Sequence, residues 1–301
     1  MKTDLLRRLT ERPILCDGGM GTQLFEAGLP PGEPGELWNL QRRDAIQAIH
    51  RAYRDAGCRL LTTNTFGGCV EALARHHLAE QADPINEAAA SLAREVAGPD
   101  AWVLADIGPF GGFLEPIGDS LPDDVEAMFH RQAEALHRGG ADIVVVETMV
   151  DPAEAVLAIR AARDVADWPI IATFAFNRAG DAFRTVMGAE IRRCMADAID
   201  AGAAVVGANC GTNLSLEDYR ELAEQVVYAA EGQPVIIQPN AGPPRHTGTG
   251  VRYDVEPRQM AELTRSLLDT GVRIVGGCCG TTPRHLAAMA QAMDQWSEEH
   301  G

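Results

Sequence analysis

Three cysteines in glycine-rich segments are the residues of this sequence whose types and spacing could hold a metal ion. Cys278 and Cys279 are adjacent in Gly-Gly-Cys-Cys-Gly-Thr-Thr (276–282), and Cys210 lies in Gly-Ala-Asn-Cys-Gly (207–211). Adjacent cysteines do not easily bridge each other. Both can bind one metal ion if the strand breaks there, and the flanking glycines allow such a break. Three thiolates and one open position would form a catalytic zinc site.

A zinc site of this kind predicts thiol chemistry. Zinc lowers the pKa of a coordinated thiol, so a substrate thiol would bind as the thiolate, which is the form that attacks carbon. The spacing alone leaves ordinary buried cysteines as an equal alternative, because the three residues do not form one Cys-x-x-Cys module. The other four cysteines have no comparable setting and are expected to be core residues: Cys16, Cys58, Cys69 and Cys194.

Short apolar runs alternate with longer segments of helical spacing along the chain. Eight of these runs are predicted strands, at 13–17, 60–64, 103–108, 143–147, 169–176, 204–209, 235–239 and 273–278. Asp151-Pro152-Ala153-Glu154 predicts a helix start with an N-cap, a first-turn proline and an N3 glutamate. Glycines predict left-handed helix ends at 57, 140, 202 and 271.

This alternation predicts an α/β fold with a single (β/α)₈ TIM barrel spanning residues 1–301 as one domain. A doubly wound fold agrees less well, since the first strand is not followed by Gly-x-Gly-x-x-Gly. Both cysteine segments end predicted strands, the sixth and the eighth, and therefore should meet at the C-terminal rim. The irregular segments 28–35 and 109–122 also follow strands and should lie on this rim.

The composition limits the classes of function. The 301 residues are 46% hydrophobic and 23% charged, with a net charge of −17. Such acidity gives no electrostatic footprint for nucleic acid or anionic membranes. No stretch approaches the ~20 apolar residues of a membrane span. The N-terminal residues lack the apolar run of a signal peptide. We therefore expect a cytoplasmic protein with reduced cysteines.

Five motifs occur in order across nearly the whole chain: Cys-Asp-Gly-Gly-Met-Gly-Thr (16–22), Thr-Asn-Thr-Phe (63–66), Glu-Thr (147–148), Asn-Cys-Gly (209–211) and Gly-Gly-Cys-Cys-Gly-Thr-Thr-Pro (276–283). Together they resemble the homocysteine S-methyltransferase family. That family includes the homocysteine-binding module of cobalamin-dependent methionine synthase, betaine–homocysteine methyltransferase and S-methylmethionine-dependent enzymes. The resemblance implies a zinc-bearing (β/α)₈ barrel that methylates homocysteine to methionine, with Cys210, Cys278 and Cys279 as the zinc ligands.

The resemblance also implies roles around the substrate. Asp17 and Glu147 match family carboxylates that hold the homocysteine ammonium, a role that suits paired acids. Backbone N–H groups of the turn containing Gly18 and Gly19, with the segment around Thr63, are candidates to receive the substrate carboxylate.

Three further residues are predicted to lie near this site. Asn209 is a candidate to orient the adjacent zinc ligand or the substrate. Asn240 matches a family asparagine and is a candidate fourth zinc ligand in the resting enzyme, although asparagine at such a place is often a turn residue. Trp38 is an aromatic candidate for stacking on a cationic methyl donor or, equally, for anchoring its loop. His246 is expected in an exposed loop.

The methyl donor is less well defined. Betaine-type enzymes should enclose the cationic head of the donor in an aromatic cage, but Thr148 and Gly67-Gly68 stand where a betaine-type pattern carries tyrosines. This departure argues against betaine. The motifs lean towards the cobalamin-dependent branch, in which methylcobalamin would arrive on a separate corrinoid protein, and a small onium compound such as S-methylmethionine is the other donor class. The alternatives are the same chemistry on another thiol, a corrinoid demethylation system, and a non-catalytic subunit of a methyl-transfer complex.

Overall fold

Eight parallel strands form the centre of the protein. The structure, a computed structural model, describes residues 5–247 and 250–300, and the side chain of His246 lies outside what it describes. In chain order the barrel strands are β1 Ile14–Leu15, β2 Leu60–Thr62, β3 Trp102–Ile107, β4 Ile143–Met149, β5 Ile170–Phe174, β6 Val205–Asn209, β7 Val235–Gln238 and β8 Ile274–Val275. Each predicted strand is present, and the predicted (β/α)₈ barrel is confirmed.

The strands are hydrogen-bonded in the order β1-β8-β7-β6-β5-β4-β3-β2. The two ends of this sheet approach each other at an isolated parallel bridge between Cys16 and Leu60. The Asp17 amide donates to the Leu60 carbonyl at 3.1 Å, and the Arg59 amide donates to the Leu15 carbonyl at 2.9 Å. These bonds make the barrel nearly closed, so the ends of β1 and β2 share one rim with β6 and β8.

Helices surround the barrel, as expected when both faces of a parallel sheet are buried. They are α1 Leu5–Glu11, α2 Met20–Glu26, α3 Trp38–Gln41, α4 Arg43–Asp55, α5 Val70–Ala74, α6 Ala82–Ala97, α7 Pro122–Arg138, α8 Pro152–Val165, α9 Ile191–Ala201, α10 Leu216–Ala229, α11 Pro257–Asp269 and α12 Pro283–His300. Two 3₁₀ turns, Gly35–Leu37 and Ala79–Gln81, and two hairpins, Asn177–Ala179 with Ala182–Arg184 and Arg245–Thr247 with Gly250–Arg252, complete the described elements. No helix in the described ranges combines the length and apolar character needed to cross a membrane.

The predicted helix ends are confirmed with one exception. Asp151 caps α8 by accepting a hydrogen bond from the Ala153 amide, and Pro152 occupies the first turn. Glu154 does not cap this helix, contrary to the prediction, because its buried Oε1 accepts from the Phe110 amide at 2.8 Å instead. At the helix ends, Gly202 has the expected left-handed conformation with φ 111°.

The eighth strand is shorter than the predicted 273–278, because regular pairing stops at Val275. The chain nevertheless stays between its two neighbours. The Gly277 amide donates to the Asp17 carbonyl at 2.9 Å, and the Cys278 amide donates to the Pro239 carbonyl at 2.9 Å. Both cysteines are thereby held at the rim although the strand itself has ended.

The barrel interior has an apolar floor and a polar upper layer. Alternate residues of each strand point inward, and one buried cluster collects the lower inward positions, among them Leu60, Leu104, Val145, Ile171, Val205 and Ile236. Two residues further toward the rim, the same alternation places polar side chains inward: Thr62, Asp106, Glu147, Thr173 and Gln238. The apolar layer closes the bottom of the barrel, and the polar layer faces its mouth.

Candidate active site

The three predicted cysteines meet at the mouth of the barrel. The Sγ atoms of Cys210, Cys278 and Cys279 all lie within 4.8 Å of one another, and those of Cys278 and Cys279 are 4.0 Å apart. Sulfur ligands bound to zinc at about 2.3 Å in a tetrahedron are about 3.8 Å apart. The donor set and its spacing therefore fit a zinc ion after small side-chain adjustments.

The backbone of Cys210 is held in an unusual conformation. Its φ is 55°, in the left-handed region that non-glycine residues rarely adopt. The Cys210 carbonyl accepts a hydrogen bond from the Tyr219 hydroxyl, and this hydroxyl also accepts from the Asn240 amide at 3.1 Å. The buried phenol of Tyr219 thus links the ends of β6 and β7 and fixes the direction in which the Cys210 thiol leaves the chain.

A compact loop presents Cys278 and Cys279. The Thr281 hydroxyl donates to the Cys278 carbonyl at 2.7 Å and accepts from the Gly19 amide at 3.0 Å. A side chain at Gly18 would collide with this threonine, since its Cβ would lie 2.6 Å from the hydroxyl oxygen. The predicted Gly18-Gly19 turn therefore packs directly against the cysteine loop, and the Gly19 amide is already used there.

Asn240 binds both cysteine segments. Its Oδ1 accepts from the Cys279 amide at 3.0 Å, and its Nδ2 donates to the Gly211 carbonyl at 2.8 Å and lies 3.8 Å from the Cys210 sulfur. The atom that would ligate zinc is thus occupied by a backbone amide in this structure. The contacts describe a residue that positions two cysteines, while ligation by Asn240 stays a prediction.

Hydrogen bonds among the thiols shift the pKa values of Cys278 and Cys279 in opposite directions. Bonds from Cys210 and then Cys278 lower the pKa of Cys279 to about 3. The bonds of Cys278 to Cys210 and to Cys279, together with burial, raise the pKa of Cys278 well above its usual value. A cluster that stabilises negative charge on sulfur suits a cation at its centre.

Both predicted carboxylates lie at the same rim. The Asp17 carboxylate accepts from the Thr62 amide at Oδ2 and from the Thr62 hydroxyl at Oδ1, each at 2.7 Å. Burial raises the pKa of Asp17 to about 7. Burial, and next the neighbouring Cys210 and Asp17, raise the pKa of Glu147 to about 8. Burial has removed the water that would stabilise the ionised form of these two acids. A positive charge bound beside them would stabilise that form instead.

Asn209 connects the carboxylate side with the cysteine side. Its Nδ2 donates to the Glu147 carboxylate at 3.1 Å and to the Thr148 hydroxyl at 2.7 Å. Its Oδ1 accepts from the Thr148 amide at 3.0 Å and from the Thr173 hydroxyl at 2.9 Å. Both atoms of the carboxamide are used in these bonds, one of which orients Glu147. Asn209 directly precedes Cys210 in the chain.

Two other candidate residues, Thr63 and Trp38, are buried. The Thr63 hydroxyl is buried, 2.6 Å from the Thr65 hydroxyl, and accepts from the Asp106 amide at 3.0 Å. Trp38 is only 5% exposed within the main core cluster, and the Arg42 guanidinium covers its ring at 4.7 Å. These contacts agree with the loop-anchoring alternative for Trp38. Substrate binding by Thr63 and donor stacking by Trp38 stay predictions without a supporting contact.

Sequence reasoning missed Tyr219 and Asp106. Tyr219 resembles any other apolar position of an amphipathic helix, and no local signal marks its hydrogen bond to Cys210. Asp106 carried a usable signal, because it is an acid inside the apolar run Val-Leu-Ala-Asp-Ile of a predicted buried strand. Its side chain is 4% exposed, and its Oδ1 has no hydrogen-bond partner among the residues that the structure describes.

Known proteins resemble this chain in sequence and in fold. The chain is 33% identical to methionine synthase of Mycobacterium leprae over 97% of its length, and 32% identical over 97% to methionine synthase of Mycobacterium tuberculosis. It spans about a quarter of the length of each, 25%. Crystal structures of the homocysteine methyltransferase MmuM from Escherichia coli share its fold. The oxidized form has a TM-score of 0.76 and 22% identity, covering 95% of this chain and 98% of that one.

The metallated form of the same Escherichia coli protein matches with a TM-score of 0.74 and 22% identity, covering 95% of this chain and 99% of that one. The model of the homocysteine S-methyltransferase family matches residues 14–293, which include every strand of the barrel and all three clustered cysteines. A match of this extent shows the family of the chain. The protein belongs to the homocysteine S-methyltransferase family.

Proposed function

We propose that this protein methylates the sulfur of homocysteine to give methionine, with a zinc ion held by Cys210, Cys278 and Cys279. The convergence of their three Sγ atoms within 4.8 Å at the barrel mouth carries the proposal. When bound there, zinc would supply a Lewis acid that keeps the substrate thiol ionised at neutral pH. In this proposal, a single barrel domain carries all the proposed zinc and substrate ligands.

The residues of the chain bind and orient the amino acid part of the substrate. Two buried carboxylates, those of Asp17 and Glu147, lie at the same rim as the cysteines. The family resemblance names this pair, and paired acids suit the substrate ammonium. Asn209 holds Glu147 in place through a 3.1 Å bond. An ammonium bound at this rim directs the sulfur of the same molecule toward the cysteine cluster. The entropy cost of orienting the reacting sulfur is then largely met by binding, before the reaction step.

The transfer itself is a displacement at carbon. The substrate thiol gives its proton to solvent on binding. The sulfur then attacks the methyl carbon opposite the donor atom, a carbon–sulfur bond forms, and the bond between methyl and donor breaks with its electron pair staying on the donor. No general base is needed at the donor side, so the rim above the cysteines can remain open.

The donor in this proposal is a methylated corrinoid protein acting in trans or a small onium compound. The matched relatives are named methionine synthases, and the motifs of this chain resemble the cobalamin-dependent branch of the family, which supports the corrinoid donor. Loops after β2 and β3 also expose large apolar side chains, with Phe66 45% and Phe113 55% exposed. Exposed apolar groups around a site are typical of docking surfaces.

The test is cysteine replacement with zinc and turnover measured together. Cys210→Ala, Cys278→Ala and Cys279→Ala should each lower bound zinc and abolish homocysteine methylation. Cys194→Ala is the matched control, because Cys194 is buried in α9 outside the cluster and should leave zinc content unchanged. Full zinc content and normal turnover in all three cluster variants would overturn the proposal.

Turnover should be assayed with methylcobalamin, S-methylmethionine, dimethylsulfoniopropionate and betaine in parallel. Activity with the corrinoid or a sulfonium compound, and none with betaine, is the expected result. A purified zinc protein that methylates no thiol with any donor would instead favour a non-catalytic subunit. A preference for a thiol that lacks an amino group would remove the role proposed for the carboxylates.

A further inference from the structure

A tyrosine that belongs to none of the sequence motifs lies against the cysteine cluster. Tyr253 follows the hairpin that ends at Arg252 and precedes α11, and its side chain is half-buried. A hydrogen bond joins the Tyr253 hydroxyl to the sulfur of Cys279. Metal ligation requires the thiolate, which can accept but not donate a hydrogen bond. The Tyr253 hydroxyl is therefore the donor whenever Cys279 binds a metal ion.

The ring of Tyr253 packs directly on the loop that presents Cys279. A side chain at Gly280, the next residue, would collide with this ring, since its Cβ would lie 2.5 Å from Cδ2 of Tyr253. Gly280 also has a φ of 79°, in the left-handed region that favours glycine. The turn after Cys279 and the position of the phenol are thus fitted to each other.

Backbone hydrogen bonds tie the segment of Tyr253 to Cys279. The Val255 amide donates to the Ala241 carbonyl at 3.1 Å, and the Ala241 amide donates to the Cys279 carbonyl at 2.9 Å. On the other side, Nε2 of His285 donates to the Val255 carbonyl at 2.9 Å. The phenol is therefore held in place by both the cysteine loop and α12.

The two polar neighbours of Cys279 act on different atoms. Asn240 accepts from the Cys279 amide and so holds the backbone of the residue. Tyr253 contacts the sulfur itself. Hydrogen bonds to a ligand atom tune the metal that it binds, because a donor draws electron density away from the sulfur. A zinc ion that receives less charge from Cys279 keeps more positive charge for a fourth sulfur.

We propose that Tyr253 is a positioning residue of the zinc site, whose hydroxyl acts through the Cys279 sulfur and increases the affinity of the metal for the substrate thiolate. This inference rests on the proposed function, because it requires a metal ion at Cys210, Cys278 and Cys279. The ring of Tyr253 alone would keep the loop in shape. The proposed role belongs to the hydroxyl.

The experiment replaces zinc by Co²⁺, whose sulfur-to-metal charge-transfer absorption reports the electron density on the thiolates. Tyr253→Phe keeps the ring against Gly280 and removes the hydroxyl. Its charge-transfer band should move to longer wavelength, because a thiolate without the hydrogen bond gives up an electron more easily. Zinc-loaded Tyr253→Phe should bind homocysteine about 3- to 10-fold more weakly, the loss expected for one hydrogen bond. The matched control is Tyr228→Phe, at a position 85% exposed on α10, which should equal the unaltered protein in both measurements.

Replacement of Tyr253 by 3-fluorotyrosine tests the same bond in the opposite direction and serves also if Tyr253→Phe does not fold. Its more acidic hydroxyl donates a stronger hydrogen bond, so the band should move to shorter wavelength. A band that stays in place in both altered proteins would overturn the inference and leave the proposed function standing, even if homocysteine binding weakens, because the role would then be structural. Failure of the unaltered protein to bind Co²⁺ or Zn²⁺ at the cysteines would instead contradict the proposed function.

Discussion

The Asn209 carboxamide donates to the Glu147 carboxylate at 3.1 Å, and the residue after Asn209 is Cys210 of the cysteine cluster. The end of β6 therefore carries both a residue that orients Glu147, a proposed ligand of the substrate ammonium, and a proposed zinc ligand.

Asn209→Ala should impair substrate binding more than zinc binding. The variant leaves Glu147, the Thr148 amide and the Thr173 hydroxyl without their partner, at a cost of about 1–3 kcal/mol for a buried unsatisfied group. We expect KM for homocysteine to rise about tenfold or more. Asn213→Ala, an exposed residue four positions further along, is the control and should behave like the unaltered protein. An unchanged KM in Asn209→Ala would contradict this role.

Tyr219→Phe should lower zinc affinity while leaving the fold intact. Without the hydroxyl, the Cys210 carbonyl and the Asn240 amide lose a shared partner, and the left-handed conformation of Cys210 is less well held. Loss of a group that orients a metal ligand costs about 10- to 100-fold in affinity. Competition with a chromophoric chelator measures this. Tyr228→Phe on the same helix, 85% exposed, is the matched control, and an equal affinity for zinc in both variants would speak against the mechanism.

The metal-free protein should lose stability as pH rises from about 4 to about 7. Asp17 has a pKa of about 7 in the folded state, raised by burial, against about 4 in the unfolded chain. The folded state thus binds the extra proton, so its advantage is full at low pH and is lost as pH rises through the folded pKa. Denaturant titration should show a decrease of the order of a few kcal/mol.

Asp17→Asn should make this slope shallower without abolishing it, because the pKa values of Glu147 and Glu154 are raised as well. The exposed Asp119→Asn serves as the control and should retain the full slope. If Asp17→Asn and Asp119→Asn give the same dependence of unfolding free energy on pH, the burial argument for Asp17 is wrong.

Phe113→Ser should affect turnover only with a protein-borne methyl donor. Phe113 is 55% exposed on the loop after β3, where a docking protein would cover it but a small donor would pass. We expect about a tenfold or smaller rise in KM for a methylated corrinoid protein, in line with an interface residue worth about 1 kcal/mol. KM for free methylcobalamin should not change. An equal effect on both donors would place Phe113 in the site rather than in a docking surface.

The sequence predicted the architecture well because the barrel repeats one unit eight times. Every strand run was found, and the motif around Cys278 and Cys279 stood at a strand end. Side-chain direction was less predictable. In a strand, successive side chains point to opposite faces, so a shift of one residue exchanges them. Thr62 meets Asp17. The hydroxyl of Thr63, which was predicted to bind the substrate, instead lies against the Thr65 hydroxyl and the Asp106 amide.

Burial of single residues depended on contacts between distant parts of the chain. Whether Trp38 faces the donor or the core is decided by how its loop folds back on the barrel, which no local pattern records. The same holds for Tyr219, whose hydroxyl matters only because β6 and β7 are neighbours. The inward position of Asp106 could have been read from alternation along its strand, since Leu104 two residues earlier belongs to the barrel floor.

In the proposed mechanism, Cys210, Cys278 and Cys279 hold a zinc ion that also binds the sulfur of homocysteine. X-ray absorption at the zinc edge of the zinc-loaded protein tests it most directly, recorded with and without homocysteine. We expect three sulfur neighbours at about 2.3 Å in the resting protein and four after homocysteine is added. The same three sulfur neighbours before and after addition of saturating homocysteine would contradict it.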